Sequence, residues 1–147
     1  HGDFYSVEGF SDFKRAQMQR YRAMCEAGRG KWFGAFLDGR LAADCGVYVF
    51  GDIGRFQSVG THPEFRRRGI CGNLVHGVAK WAFNEGGAET LVMVADPDYH
   101  AAKVYESVGF RPAEKAIGMC KQPPEYANVT AELDLAKQTA KSNQVKP

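Results

Sequence analysis

Residues 56–84 change their periodicity partway along, and that change limits the folds open to this chain. An apolar strand pattern over 56–61 runs into His62-Pro63-Glu64-Phe65 and then Arg66-Arg67-Arg68-Gly69. Beyond it, Ile70, Leu74, Val75, Val78, Trp81 and Ala82 recur at helical spacing until Gly86-Gly87. A strand that feeds a helix through such a turn puts backbone N–H groups, a helix N-terminus and fixed positive charge at one point. The first-turn N–H groups have no intrahelical partner, and the helix dipole favours negative charge there. Such a point suits a phosphate.

The two glycines fit that reading. Gly69 lets the chain turn sharply, and Gly72 lets a ligand come close to the first helical turn. No Lys-Ser or Lys-Thr follows Gly69, which excludes a nucleotide P-loop, and the dinucleotide pattern GxGxxG is absent. On these residues alone a solvated basic turn remains the competing explanation.

Composition narrows the rest. The chain has 147 residues, of which 44% are hydrophobic and 24% charged, which suits a soluble domain with its own core. A net charge of +2 gives no global field for a nucleic acid or a membrane surface. Cys25, Cys45, Cys71 and Cys120 are widely spaced with no CxxC, so neither a zinc site nor a disulfide framework is expected. Free thiols point to a reducing cytoplasm. No apolar run reaches the ~18 residues of a membrane span, and no leader pattern is present. The expectations are therefore a cytoplasmic protein with no metal, no nucleic acid and no membrane partner.

The remaining elements follow from turns and caps. Residues 11–27 read as a helix capped by Ser11 or Asp12 and ended by Gly28. Strands over 31–37 and 41–50 are joined by Asp38-Gly39, a hairpin turn, with Gly46 weakening the second strand or marking a bulge. Gly51-Asp52-Ile53-Gly54 turns the chain into a third antiparallel strand, 55–61. Residues 90–95 form a continuous apolar run expected to be a strand buried on both faces. Asp96-Pro97-Asp98 resembles a helix start; that helix carries Ala101, Ala102, Tyr105 and Val108 and ends at Gly109. Residues 110–114 and 116–121 are weaker strand candidates. Beyond Pro123-Pro124 the chain turns polar, so 124–147 is expected to be a tail with at most a short helix over 130–141.

Two motifs in this order carry a family resemblance. Val59-Gly60-Thr61, His62-Pro63-Glu64-Phe65 and Arg66-Arg67-Arg68-Gly69-Ile70-Cys71-Gly72 together resemble the acetyl-CoA motif of the GNAT superfamily of N-acetyltransferases. Residues 98–110 resemble that family's second signature, N-x-x-A-x-x-x-Y-x-x-x-G-F, with Asp98, Ala101, Tyr105, Gly109 and Phe110 at the marked positions. The resemblance spans roughly residues 31–121. It implies a three-layer α/β/α domain over 1–123 with a mixed, mostly antiparallel sheet that turns parallel around the Gly69 helix. The ligand is then expected where the third strand and the 90–95 strand diverge.

The resemblance also implies roles. Val59, Gly60 and Thr61 would pair through their backbone with the pantetheine arm. Arg67, Arg68, Gly69, Ile70, Cys71 and Gly72 would hold the pyrophosphate, with Arg66 at the edge. Asp98 stands where the family has an Asn that contacts pantetheine, and Tyr105 where many members have the tyrosine that protonates the leaving thiolate. Attack of an amine on a thioester expels a thiolate, and a nearby phenol can donate to it. The implied activity is direct acetyl transfer from acetyl-CoA, as co-substrate, to a primary amine of a small molecule or peptide.

Departures from the family pattern leave questions. Cys71 replaces a common Gly or Ala, and Asp98 replaces the Asn. Met93 and Arg55 occupy positions where relatives place a base, so no general base transfers. Asp52, His62, Asp96 and His100 lie near strand ends or helix starts and are the remaining candidates; a cap or turn role competes for each. His76 reads as structural or surface. Only residues 1–10 precede the first helix, where the family has a strand and a helix, so either that short segment is the first strand or another subunit or a lost segment completes the sheet, a homodimer being one form of the latter. The competing functions are a non-catalytic acyl-CoA-binding module, in keeping with the absent base, and a basic nucleic-acid-binding turn, which the low net charge opposes.

Overall fold

The computed structural model describes residues 9–96 and 99–117. The elements are α1 (Phe10–Glu26), β1 (Gly30–Leu37), β2 (Arg40–Phe50), β3 (Ile53–Thr61), a 3-10 turn (Pro63–Phe65), α2 (Ile70–Asn84), β4 (Thr90–Val92) and α3 (Ala101–Ser107). Two compact units divide the chain, His1–Arg111 and Pro112–Pro147. Every element named here belongs to the first. Of the second unit, residues 112–117 are irregular, and Ile117 is exposed.

The sheet has the order β1-β2-β3-β4. β1 and β2 form a hairpin through Asp38 (φ 50) and Gly39 (φ 73), the paired positive φ values that a tight primed turn requires. β2 and β3 pair antiparallel, and β3 and β4 pair parallel from Ile53↔Thr90 to Arg55↔Val92. The mixed sheet, antiparallel first and parallel around α2, is as the sequence implies.

Alternation along β2 sorts the two layers. Ala43, Cys45 and Val47 join Phe56 and the α2 side chains Leu74, Val75, Val78 and Ala82 in the buried core. Tyr48 points to the other face, where its hydroxyl donates to the Tyr21 carbonyl of α1 at 3.2 Å and its ring stacks on Tyr21 at 5.5 Å. The apolar stripe of α2 therefore covers the sheet on one side, and α1 lies on the other.

Several local expectations are corrected. α1 begins at Phe10 with Gly9 in the left-handed region as its cap, and neither Ser11 nor Asp12 caps it; Asp12 pairs with Arg15 instead. The third strand starts at Ile53, two residues before the expected point. The 90–95 strand ends at Val92 and is not buried on both faces: Val92 and Val94 are exposed. Its apolar run meets a neighbour on β3 alone, since no strand among the described residues pairs with its other edge. α3 starts at Ala101 with His100 in the N-cap position, four residues beyond Asp96. Residues 110–114 form no strand. The rest of the 116–121 candidate from 118 on, the 124–147 tail and residues 1–8 lie outside the described residues.

Cys45 is wholly buried, and burial, with Asp44 nearby, pushes its thiol up to about 12 from an ordinary 9.0. A raised folded-state value makes this contribution to stability complete below the unfolded thiol's range. It is lost as pH climbs from about 9 toward 12, at about 1.4 kcal/mol per pH unit. Urea unfolding midpoints at pH 8, 9 and 10 will fall more steeply for the wild type than for Cys45→Ala. Parallel slopes would show that the thiol does not couple to folding.

Candidate active site

β3 and β4 stay paired only from Ile53 to Arg55 on β3 and then separate. The separation has a local cause. Asp44 pairs with Gly60 and Gly46 with Gln57, so Ser58 and Val59 of β3 oppose the single residue Cys45 of β2. Ser58 takes up the extra residue with φ 51. This is a β-bulge, which bends its strand and sharpens the twist. Gly46, expected to mark a bulge, lies beside it, but the inserted residue is on β3. Gly46 serves space instead: a Cβ there would come within 2.7 Å of the Trp32 ring.

The diverging strands open a cleft of about 740 Å³. Val59, Gly60 and Thr61 of β3 form one wall; Val94, Ala95 and Asp96, beyond β4, line it as well. Gly69 to Gly72 at the start of α2 lie at its edge, and Tyr99, His100, Ala101, Val104 and Tyr105 complete it. A second cavity, about 510 Å³, lies against the opposite end of α2, at Trp81, Glu85 and Gly86, and shares none of these groups.

The α2 N-terminus has the form an anion site needs. Gly69 has φ 73, and its carbonyl accepts the Asn73 N–H at 3.1 Å. The N–H groups of Ile70, Cys71 and Gly72 precede that first helical bond and have no intrahelical acceptor. The three arginines divide. Arg67, with φ 61, and Arg66 line the cleft, and Arg66 Nε also donates to the Thr61 carbonyl at 3.3 Å, tying the turn to the strand end. Arg68 is not among the cleft-lining residues; its guanidinium lies over the Phe65 ring at 5.8 Å. Cys71 is half-buried; burial raises its thiol while a hydrogen bond with the Thr61 side chain pulls it back, so it joins helix to strand as well as being small.

Tyr105 comes from α3 and reaches the same cleft. It is 9% exposed, packs edge-on to Phe110, and its hydroxyl has no hydrogen-bond partner among the described residues. Burial first, and the neighbouring Cys71 and Cys45 thiols next, push the phenol up to about 12. The phenol thus stays protonated through the neutral and mildly alkaline range.

The base candidates separate by place. Asp96 and His100 line the cleft, and the His100 ring lies tilted against Tyr99 at 4.1 Å between centroids. Asp52 sits at the far end of β3, where its carbonyl accepts the N–H groups of Glu89 and Thr90, a turn role. His62 is exposed beside Phe65 and Glu64 and does not line the cleft. His76 is exposed on α2, Arg55 is exposed, and Met93 packs on the core. Asp98 lies outside the described residues. Asp44 was not singled out by the sequence: only the β2–β3 register brings its carboxylate beside Gly60.

Among the described residues no helix is long and apolar enough to cross a membrane, and no group of three or more His, Cys, Asp or Glu is placed to hold a metal ion.

Comparison with known proteins gives the same picture. The model of a family described as "Acetyltransferase (GNAT) family" matches residues 3–110. No curated protein sequence matches. Among solved structures, the aminoglycoside N-acetyltransferase AAC(6')-Iy in complex with CoA superposes with a TM-score of 0.62 at 20% identity, over 78% of this chain and 94% of that one. An aminoglycoside acetyltransferase from an uncultured soil metagenomic sample, in complex with trehalose, gives 0.60 at 17% identity, over 71% and 73%. A Trypanosoma brucei acetyltransferase gives 0.58 at 15% identity, over 72% and 79%. At these identities the likeness shows the fold.

Proposed function

The chain belongs to the GNAT family of acetyltransferases, and we propose that it transfers the acetyl group of acetyl-CoA to a primary amine by direct attack. One observation carries the reading: the free N–H groups at the start of α2, the end of β3 and the Tyr105 phenol line a single cleft. An extended ligand with a diphosphate at one end and a thioester at the other matches that sequence of groups. The diphosphate would take the N–H groups of Ile70, Cys71 and Gly72, with Arg67 beside it. The pantetheine amides would pair with the backbone of Val59 to Thr61 along the edge that faces β4, which β4 leaves unpaired beyond Arg55.

The reaction follows from those positions. The amine lone pair attacks the thioester carbon, a C–N bond forms, and the C–S bond breaks as the tetrahedral adduct collapses. The departing sulfur takes a hydrogen bond or proton from Tyr105. Asp98, if it stands where an Asn usually contacts the cofactor, contributes acceptor oxygens only. The structural relatives that act on aminoglycosides favour a small-molecule acceptor over a peptide.

Acetyl-CoA will stabilise the protein by mass action. At a hundredfold excess over the dissociation constant the gain is about 2.7 kcal/mol, a rise in melting temperature of roughly 5–10 °C for a chain of this size. Thermal melts with and without acetyl-CoA, followed by a coupled assay for free CoA over a panel of amines, check it. No shift at millimolar acetyl-CoA overturns the cofactor reading. A shift with no turnover on any amine leaves a binding module in its place.

A further inference from the structure

We infer that Asp44 recognises the acceptor, and that the acceptor meets it as an ammonium ion, so that this enzyme selects cationic primary amines. The inference rests on the acetyl-transfer reading above and adds the acceptor's charge and the residue that reads it.

Position is the first argument. Asp44 on β2 is in register with Gly60 on β3, and its Oδ1 lies 3.6 Å from where a Cβ on Gly60 would stand. Gly60 itself lines the cofactor cleft. One strand of backbone therefore separates the carboxylate from the cleft, at a residue with no side chain to block the way. Next to it, Ser58 and Val59 have no ladder partner of their own on β2, so the strand bends there.

The state of the carboxylate is the second argument. Asp44 is half-buried, and no cation pairs with it among the described residues. Asp12, Glu26 and Glu64, all on exposed surface, each have an arginine. A carboxylate with no cation beside it and one oxygen free can take a charge-assisted hydrogen bond from a cationic ligand. Its bond from the Trp32 indole N–H to Oδ2, at 2.9 Å, fixes the carboxylate and leaves Oδ1 with its lone pairs.

The surroundings suit a cation on a carbon chain. The Trp32 ring lies flat against Gly46, and Tyr21 stands 5.3 Å from it by ring centroid. The Tyr21 hydroxyl reaches Gln57 Oε1 at 3.5 Å. Trp32 and Tyr21 pack on each other, and Tyr21 on Tyr48; Trp32 and Tyr21 both line the second cavity, so they bring apolar ring edges beside the carboxylate on which methylenes can lie. A neutral acceptor gains only a weaker hydrogen bond from Oδ1, and an anionic one is repelled.

Recognition, not ground-state proton removal, is what this carboxylate offers. Free carboxylates are about six pKa units less basic than alkyl amines, so they bind an ammonium rather than strip it. The ammonium releases one proton to solvent, the neutral amine attacks, and a second proton ends on the CoA sulfur as the amide forms. Asp44 holds the nitrogen in line through the N–H bonds that remain.

Asp44→Asn separates this role from a structural one, with hexylamine as the cationic probe and aniline as the neutral one, both at pH 7.5. The expected result is a KM for hexylamine at least tenfold higher, with kcat at saturation within about threefold. The KM for aniline should rise no more than about threefold, and the thermal stabilisation by acetyl-CoA should not change. Trp32→Phe, which keeps an aromatic ring and removes the indole N–H, should raise the hexylamine KM by a smaller factor. An unchanged hexylamine KM, or an equal rise for both amines, overturns the assignment. If the wild type binds acetyl-CoA but turns over neither amine, the transfer reading fails first and the Asp44 assignment falls with it.

Discussion

Gly69→Val will abolish CoA binding, while Arg67→Ala will weaken it no more than about tenfold. The contrast follows from what each residue supplies. A Cβ on Gly69 would meet nothing within 4 Å, so space is not the obstacle. The obstacle is φ 73, where a β-branched residue is a conformational outlier; an L-residue there costs about 1–2 kcal/mol. The chain relieves that cost by unwinding the turn, and the N–H groups of Ile70, Cys71 and Gly72 then lose their common aim. Hydrogen bonds to a charged group are worth about 1.5–3 kcal/mol each, so losing two of them lowers affinity by a factor of about a hundred or more. The Arg67 side chain is exposed, and an exposed ion pair contributes about 0.2–1 kcal/mol. Isothermal titration with CoA on both variants decides it. Equal losses would mean that the arginines, not the backbone, hold the phosphates.

How much of this was legible beforehand depended on how local each feature is. The β3–α2 turn is a run of consecutive residues from Val59 to Gly72, so its strand, glycine and helix could be read in order, and the cleft does gather them. Tyr105 was reachable because its spacing to Gly109 and Phe110 sits within one helix and its exit. Features that depend on distant chain were not. Asp44 meets Gly60 only through a register offset by a bulge at Ser58 and Val59, and nothing in the local pattern announces a bulge on β3 rather than at Gly46. The strand at 90–95 was misjudged for a related reason: its apolar run reports what could be covered, whereas its length and burial depend on which strands lie beside it. The division of labour among the arginines was also hidden, because Arg68 is taken up by the ring of Phe65, which the 3-10 turn brings beneath it.

Tyr105→Phe will lower kcat roughly 10- to 150-fold, with the KM for acetyl-CoA within about threefold of the wild type. The size follows from how the phenol can act. Its value is about 12, against about 8.5 for an ordinary thiol. Handing its proton to a sulfur with that ordinary value would cost about 5 kcal/mol. Full transfer is therefore a poor description of the step. A hydrogen bond that tightens as negative charge gathers on sulfur is a better one, worth about 1.5–3 kcal/mol, and that range sets the predicted loss. The raised value works in the enzyme's favour, since a phenol that ionised near pH 10 would become an acceptor facing a thiolate. For the same reason wild type and variant should show parallel kcat profiles between pH 7 and 10, with no alkaline limb due to this residue. Phenylalanine keeps the ring that meets Phe110 edge-on, so the melting temperature should change little. A variant with normal kcat and a lowered melting temperature would make Tyr105 a packing residue and leave the thiolate without a donor in this cleft.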